Sequence, residues 1–217
     1  MNLTQQYADE AAVGVAFAEK PENLQDFLEP GCAAAIWNRR VDSSLQAWLD
    51  NLDPKQLPSG RLVLPVEAVP SALTELCNLA DTPNGVGRQA LIDDVATLAN
   101  IFANLLGSKY LRLRLDVASE TTCPKFHIDA VTARLICTYR GPGTQYGIAP
   151  NGGEPAQVFT VPTSAPIILH GSQSPQPPTS GLLHRSPPIE GSGQTRFVVV
   201  LDPFWDMGPR PSTLEVH

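Results

Sequence analysis

Nine of the 21 prolines in this chain fall between residues 150 and 188, and they limit what that stretch can become. Proline fixes φ and has no backbone N–H, so a long helix is excluded there. Ordered loops on a scaffold are expected instead, the usual place for binding residues. From Gly107 onward the chain carries short alternating or apolar segments, KYLRLRLDV, KFHID, ARLICTYR, AQVFTVP, APIILHG and RFVVVLD, separated by Gly, Pro and Ser. Such segments between turn residues predict strands. Before Gly107 the periodicity is mostly helical: PENLQDFLE with Pro21 at its start, VDSSLQAWLDNL stopped by Asp53-Pro54, and SALTELCNLA after Pro70. Between the first two, CAAAIWNRR reads as a short early strand. The longest helix is predicted in GRQALIDDVATLANIFANLLG, where Leu91, Val95, Leu98, Ile101, Phe102 and Leu105 recur at three- and four-residue steps and Gly107 ends the run.

The predicted class is α+β. An N-terminal, mainly helical region (residues 1–107) packs on a C-terminal double-stranded β-helix, or jelly roll (residues 108–206), and residues 207–217 form a tail. No internal repeat is present. At 217 residues with 42% hydrophobic content, the chain can bury a core and fold alone. Its formal charge of −7 and lack of a Lys/Arg block argue against nucleic-acid binding. No apolar run is long enough to span a bilayer, and MNLTQQYADEAAVG has neither the basic start nor the apolar centre of a signal peptide. A cytoplasmic protein without membrane contact is expected. Cys32, Cys77, Cys123 and Cys137 lie far apart with no C-x-x-C pair, which favours buried thiols over disulfides or an all-cysteine zinc site.

The chemistry concentrates in TTCPKFHIDAVTARLICTYRGPGT. Side chains two apart on a strand share a face, so His127 and Asp129 can offer an imidazole nitrogen and a carboxylate oxygen to one ion. His184, in GLLHRSPPIEG, can be brought beside them by a late strand. Two histidines and one carboxylate make the facial triad of non-haem Fe(II) oxygenases, with positions left open for cosubstrate and oxygen. Arg196 opens RFVVVLD, and a guanidinium there can grip a carboxylate through two parallel hydrogen bonds.

The segments FHID, ARLICTYR, NGGE, APIILHG and LLHRSPPIEGSGQTRFVVVLD, in that order and spacing, resemble the catalytic half of prolyl-4-hydroxylase-like Fe(II)/2-oxoglutarate dioxygenases, over roughly residues 110–205. The resemblance implies that His127, Asp129 and His184 ligate Fe(II) and that Arg196 holds the far carboxylate of 2-oxoglutarate. Many of those enzymes have Ser or Thr two residues after the basic residue, whereas Val198 stands there in this chain. From AAIWNRR to VVVLDP the chain is also similar to the bacterial domain-of-unknown-function family 1826, marked by C-P-x-F-H-x-D, T-Y-R-G-P-G-T and L-H-R-S-P-P. Some members of that family are associated with bacterial zinc homeostasis. The leading expectation is an Fe(II)/2-oxoglutarate-dependent oxygenase acting on a small molecule or peptide. The alternative is a non-catalytic zinc-binding protein using the same three ligands, with Cys123 or His170 as a closing ligand. A jelly-roll binding module without a metal is a third reading, favoured if Arg196 points away from the histidines.

Other residues have simpler readings. His170 at a strand end is expected to bond a backbone carbonyl, Cys123 to be a buried thiol and Cys137 to sit in the core. Arg134 and Arg140 flank a strand where a substrate anion is one use and a structural ion pair the commoner one. Tyr139 is assigned to cofactor binding, and Tyr146 is a second pocket candidate. GPGTQYG is read as a hairpin turn, since it lacks the Lys-Ser/Thr of a P-loop. No G-x-S-x-G elbow surrounds Ser164, Ser186 or Ser192, so hydrolase chemistry is unsupported. Trp48 and Trp205 are read as packing residues.

Overall fold

The computed structural model describes residues 14–175 and 180–205. The tail assigned to 207–217 and the segment read against a signal peptide at 1–13 lie outside them. Among the described residues, ten strands form two sheets. The larger has seven strands in the order β1 (Val15–Ala18), β2 (Ala34–Trp37), β8 (Pro166–His170), β5 (Ala133–Arg140), β10 (Arg196–Phe204), β4 (Tyr110–Ala118) and β3 (Gly60–Pro65). The smaller joins β7 (Phe159–Thr160), β6 (Gln145–Ile148) and β9 (Leu182–Arg185). All pairings are antiparallel except β1 with β2. The molecule is therefore a mixed α+β structure built around a large, mostly antiparallel sheet.

The helices match their sequence signals. In α1 (Ser43–Asn51) the Asp42 side chain accepts from Ser44 N–H, satisfying one of the free donors at the helix start. Helix α2 (Val69–Leu79) begins at a proline, which loses nothing at a first-turn position. Helix α3 (Val86–Leu106) ends at Gly107 with φ +65°, the left-handed cap that glycine adopts without penalty. The predicted helix PENLQDFLE is a 3-10 helix, Pro21–Leu28.

The central strands have alternating faces. On one, Leu111, Leu113, Leu115, Leu135, Cys137, Tyr139, Phe197, Val199 and Leu201 join the helices' Leu91, Val95, Leu98 and Phe102 in the main core. On the other, Ile136, Val198 and Val200 meet Tyr146, Leu182 and other residues in a second core between the sheets. Covering both faces explains why the stretch from Phe197 to Leu201 is apolar throughout.

Four expectations are corrected here. Besides β2, the early strand expected in CAAAIWNRR, the first 107 residues supply β1 and β3 to the seven-stranded sheet, and both regions share a core. GPGT joins β5 of the large sheet to β6 of the small one; it is no hairpin turn, because β6 pairs with β7 and β9. KFHID forms no regular strand: His127 makes a single antiparallel bridge to His184. Trp48 packs against the core as expected, but Trp205 is 54% exposed. Among the described residues no helix is long and apolar enough to cross a membrane.

Candidate metal centre

The segment between β4 and β5 lies as a strap across the mouth of the sheets and is fastened on both sides. On one, His127 and His184 exchange both backbone N–H···O hydrogen bonds at 3.0 Å, and Ser186 N–H donates to Cys123 O at 3.0 Å. On the other, Ser172 N–H donates to Asp129 O at 2.9 Å and Gln173 N–H to Val131 O at 3.1 Å. Gly171 permits this approach, since a Cβ there would lie 2.0 Å from Val131 O and 2.8 Å from Asp129 O. Backbone pairing thus sets the two imidazoles side by side, with ring centroids 4.6 Å apart.

One candidate ligand atom each from His127, Asp129 and His184 lies within 4.8 Å of the others. Asp129 Oδ1 is 3.6 Å from His127 Nε2, and Oδ2 is 3.0 Å from His184 Nε2. At metal–ligand bonds of about 2.1 Å, ligand atoms at right angles stand about 3.0 Å apart, so the second distance fits neighbouring positions on one ion. His127 Nδ1 lies 2.9 Å from Lys125 O; with the proton on that nitrogen, Nε2 keeps its lone pair for a metal. Asp129 Oδ2 is buried and without a hydrogen-bond partner, with His184 Nε2 3.0 Å away. A buried carboxylate oxygen without a donor is costly unless a cation meets it. The donor set therefore fits a divalent ion.

The electrostatics of Asp129 and His184 agree with this fit. Burial pushes the Asp129 carboxyl up, but the contacts with His127 and His184 and the charge on Arg134 outweigh it and hold the group well below the usual carboxylate range. Burial lowers the pKa of His184 more than Asp129 raises it, which favours the neutral, ligating imidazole. His127 shifts upward, mainly through Asp129.

A cavity of about 160 Å³ runs from these three residues to Arg196 and includes Thr144 and Val198 in its wall. Arg196 is 6% exposed. Its Nε donates to Pro142 O at 3.0 Å and its Nη2 to the hydroxyls of Thr138 (3.0 Å) and Thr144 (2.9 Å), with Ser186 Oγ 3.4 Å from Nη1. No carboxylate pairs with it among the described residues, and burial, only partly offset by Asp116, lowers its pKa to about 10. Arg196 thus shares a cavity with the histidines, and sequence reasoning missed its two threonine partners. Val198 and Thr138 are register partners on β10 and β5, so the residue lacking a hydroxyl stands beside one that has it.

The other candidates separate cleanly. Tyr139 is turned to the helix side, fully buried, with its hydroxyl donating to Asp94 at 2.5 Å; a cofactor contact from the cavity side is ruled out by strand alternation. Tyr146 stacks on Phe159 between the sheets. His170 lies 3.1 Å from Phe27 O and 2.9 Å from Ser174 Oγ, outside the ligand cluster. Cys123, expected to be buried, is exposed at the cavity rim and is not one of the clustered ligands. Cys77 and Cys137 are buried free thiols. Arg140 donates to Leu49 O and Leu52 O, a structural role. Arg134 forms ion pairs, but one of them is with Asp129 itself. A larger groove of about 750 Å³ opens beside α1 and Pro162–Ser164, lined by residues such as Gln46 and Asp50, with no metal-ligating cluster.

Solved structures resemble this fold at low identity. The dioxygenase for auxin oxidation 1 from Arabidopsis thaliana, in its 2-oxoglutarate binary complex, superposes with a TM-score of 0.54 at 11% identity, covering 90% of this chain and 93% of that one. The rice dioxygenase for auxin oxidation gives 0.48 at 14%, covering 88% and 83%. A Pseudomonas putida prolyl-4-hydroxylase gives 0.41 at 12%, covering 84% and 97%. At 11% identity the first likeness is one of fold. No curated protein matches the chain in sequence. The profile of the family described as Protein of unknown function (DUF1826) matches residues 18–202, and the chain belongs to that family.

Proposed function

We propose that this chain is an Fe(II)- and 2-oxoglutarate-dependent oxygenase, with His127, Asp129 and His184 as iron ligands and Arg196 as the anchor of the keto acid's far carboxylate. The observation that carries the reading is the cavity itself: a two-histidine, one-carboxylate cluster at one end and a buried guanidinium without a carboxylate partner at the other. When bound, iron, 2-oxoglutarate and dioxygen supply the oxidising power, the keto acid leaving as succinate and carbon dioxide while one oxygen atom enters the substrate.

The chain's own residues prepare the site. Lys125 O orients the His127 ring, and burial keeps His184 neutral. Thr138, Thr144 and Pro142 O fix the guanidinium of Arg196. Because Nη2 already serves both threonines, two parallel hydrogen bonds from the guanidinium are unavailable as the residues stand. Nη1 and the threonine O–H groups, which accept from arginine and so keep their own protons, are the donors left for a carboxylate. Ile136, Val198 and Val200 supply the apolar part of the wall. A volume of about 160 Å³ suits a small dicarboxylate and leaves the oxidised substrate at the open rim.

Asp129→Ala tests the assignment. It is expected to lower iron-dependent succinate formation at least about 100-fold and to weaken stoichiometric Fe(II) binding, since a carboxylate ligand is lost. Turnover at the wild-type rate would overturn it. A closed zinc site needs a fourth protein ligand, and Cys123 and His170 both lie outside the cluster.

A further inference from the structure

We propose that Arg134, with its charge cancelled by Asp202, is a positioning residue that restricts Asp129 to ligation through a single oxygen; this rests on the metal-site reading above. Arg134 projects from β5 toward the cavity, and Asp202 stands on β10 one step beyond the paired Leu135 and Leu201. Nε and Nη2 of Arg134 donate to the two Asp202 oxygens at 2.6 and 2.8 Å. Nη1 lies 2.5 Å from Asp129 Oδ1. All three side chains are largely shielded, at 14% exposure for Arg134 and Asp129 and 6% for Asp202.

The two oxygens of Asp129 consequently have different fates. Oδ1 is engaged by the guanidinium, whereas Oδ2 is buried, lacks a hydrogen bond and sits 3.0 Å from His184 Nε2. Oδ2 is thereby the oxygen left without a cationic arginine against it and the one better placed to meet an ion. The distinction matters for coordination number: with six positions, two histidines and one oxygen leave three open, enough for a keto acid in two and dioxygen in one. If both carboxylate oxygens bound, two would remain and the set would be incomplete.

A bare guanidinium beside a divalent cation would oppose metal binding. Asp202 removes that objection, because its two-bond pairing neutralises Arg134 while leaving Nη1 in contact with Asp129. The β10 carboxylate thus acts on the metal through Arg134. Hydrogen-bond partners of metal ligands characteristically change metal affinity 10- to 100-fold, roughly, when removed.

The test uses Co(II) as the probe, titrated calorimetrically into the full-length protein, followed by 2-oxoglutarate at saturating Co(II), with thermal melting of the metal-free protein alongside. Arg134→Lys keeps a cation but cannot span two carboxylates. Arg134→Gln removes the charge, and Asp202→Asn leaves the arginine unneutralised. The expected result is Co(II) affinity about 10- to 100-fold weaker in the Arg134 variants and weaker in Asp202→Asn. At saturating Co(II), 2-oxoglutarate binding by the Arg134 variants falls further, a change that a purely structural ion pair would not cause. Arg134→Lys and Asp202→Asn keep the test open if Arg134→Gln fails to fold. Wild-type-like or tighter Co(II) binding in the variants overturns the clamp alone. Failure of the wild-type protein to bind Co(II) overturns the metal site and the clamp with it.

Discussion

The same strands, β5 and β10, build both faces of the large sheet, and each face has a deeply placed arginine. Under the helices, Arg39 is gripped by Asp94 through two hydrogen bonds of 2.6 and 2.7 Å; burial opposes its charge, but Asp94 prevails and its pKa rises. Tyr139 donates to the same carboxylate, so the island is satisfied internally. On the cavity face, Arg196 has hydroxyls and a carbonyl around it, no carboxylate paired with it among the described residues, and a pKa lowered to about 10 by burial. A buried charge closed by its own partner belongs to the architecture; one left open toward a cavity is a place for a ligand.

The contrast predicts opposite responses to mutation. Asp94→Ala strands the Arg39 guanidinium and is expected to cost about 3 to 5 kcal/mol in denaturant unfolding, with metal affinity unchanged. Arg196→Met strands no opposite charge; stability is expected to shift by less than about 1 kcal/mol, while 2-oxoglutarate affinity falls at least about 100-fold by calorimetry. Equal stability losses in the two variants would erase the distinction. Thr144→Val should weaken 2-oxoglutarate about tenfold through loss of a hydroxyl donor. It should leave a 2-oxo acid without the far carboxylate unaffected. Adding Val198→Thr, which places a hydroxyl on the neighbouring cavity wall, should restore part of the loss. Tyr139→Phe has the smallest effect, about 1 kcal/mol of stability and no change in keto-acid binding. A loss of binding there would return Tyr139 to the pocket.

The candidate-site residues are legible because each carries a distinct chemical signal at a distinct place. His127 and Asp129 are two apart, His184 follows a leucine pair, and Arg196 opens an apolar strand. The helix α3 stripe and its Gly107 cap were equally plain. Thr138 and Thr144 were not, since hydroxyl residues are common and these two matter only through a β5–β10 register with a bulge and a crossing between sheets. Tyr139 was misplaced because proximity in sequence to the metal strap says nothing of strand parity, which sends it to the opposite face from Arg134. The strands β1 and β3 escaped notice for a different reason. VAFA is four residues long and GRLVLP ends at a proline, and both are held as strands by pairing with distant partners, β2 and β4.

The most direct test of the account is to add Fe(II) and then 2-oxoglutarate to the wild-type protein without oxygen and record the visible spectrum. A chelated keto acid on a site made by His127, Asp129 and His184 is predicted to give a charge-transfer band that is absent in Asp129→Ala and requires far more 2-oxoglutarate in Arg196→Met. Stoichiometric Fe(II) uptake with no band at any 2-oxoglutarate concentration would contradict it.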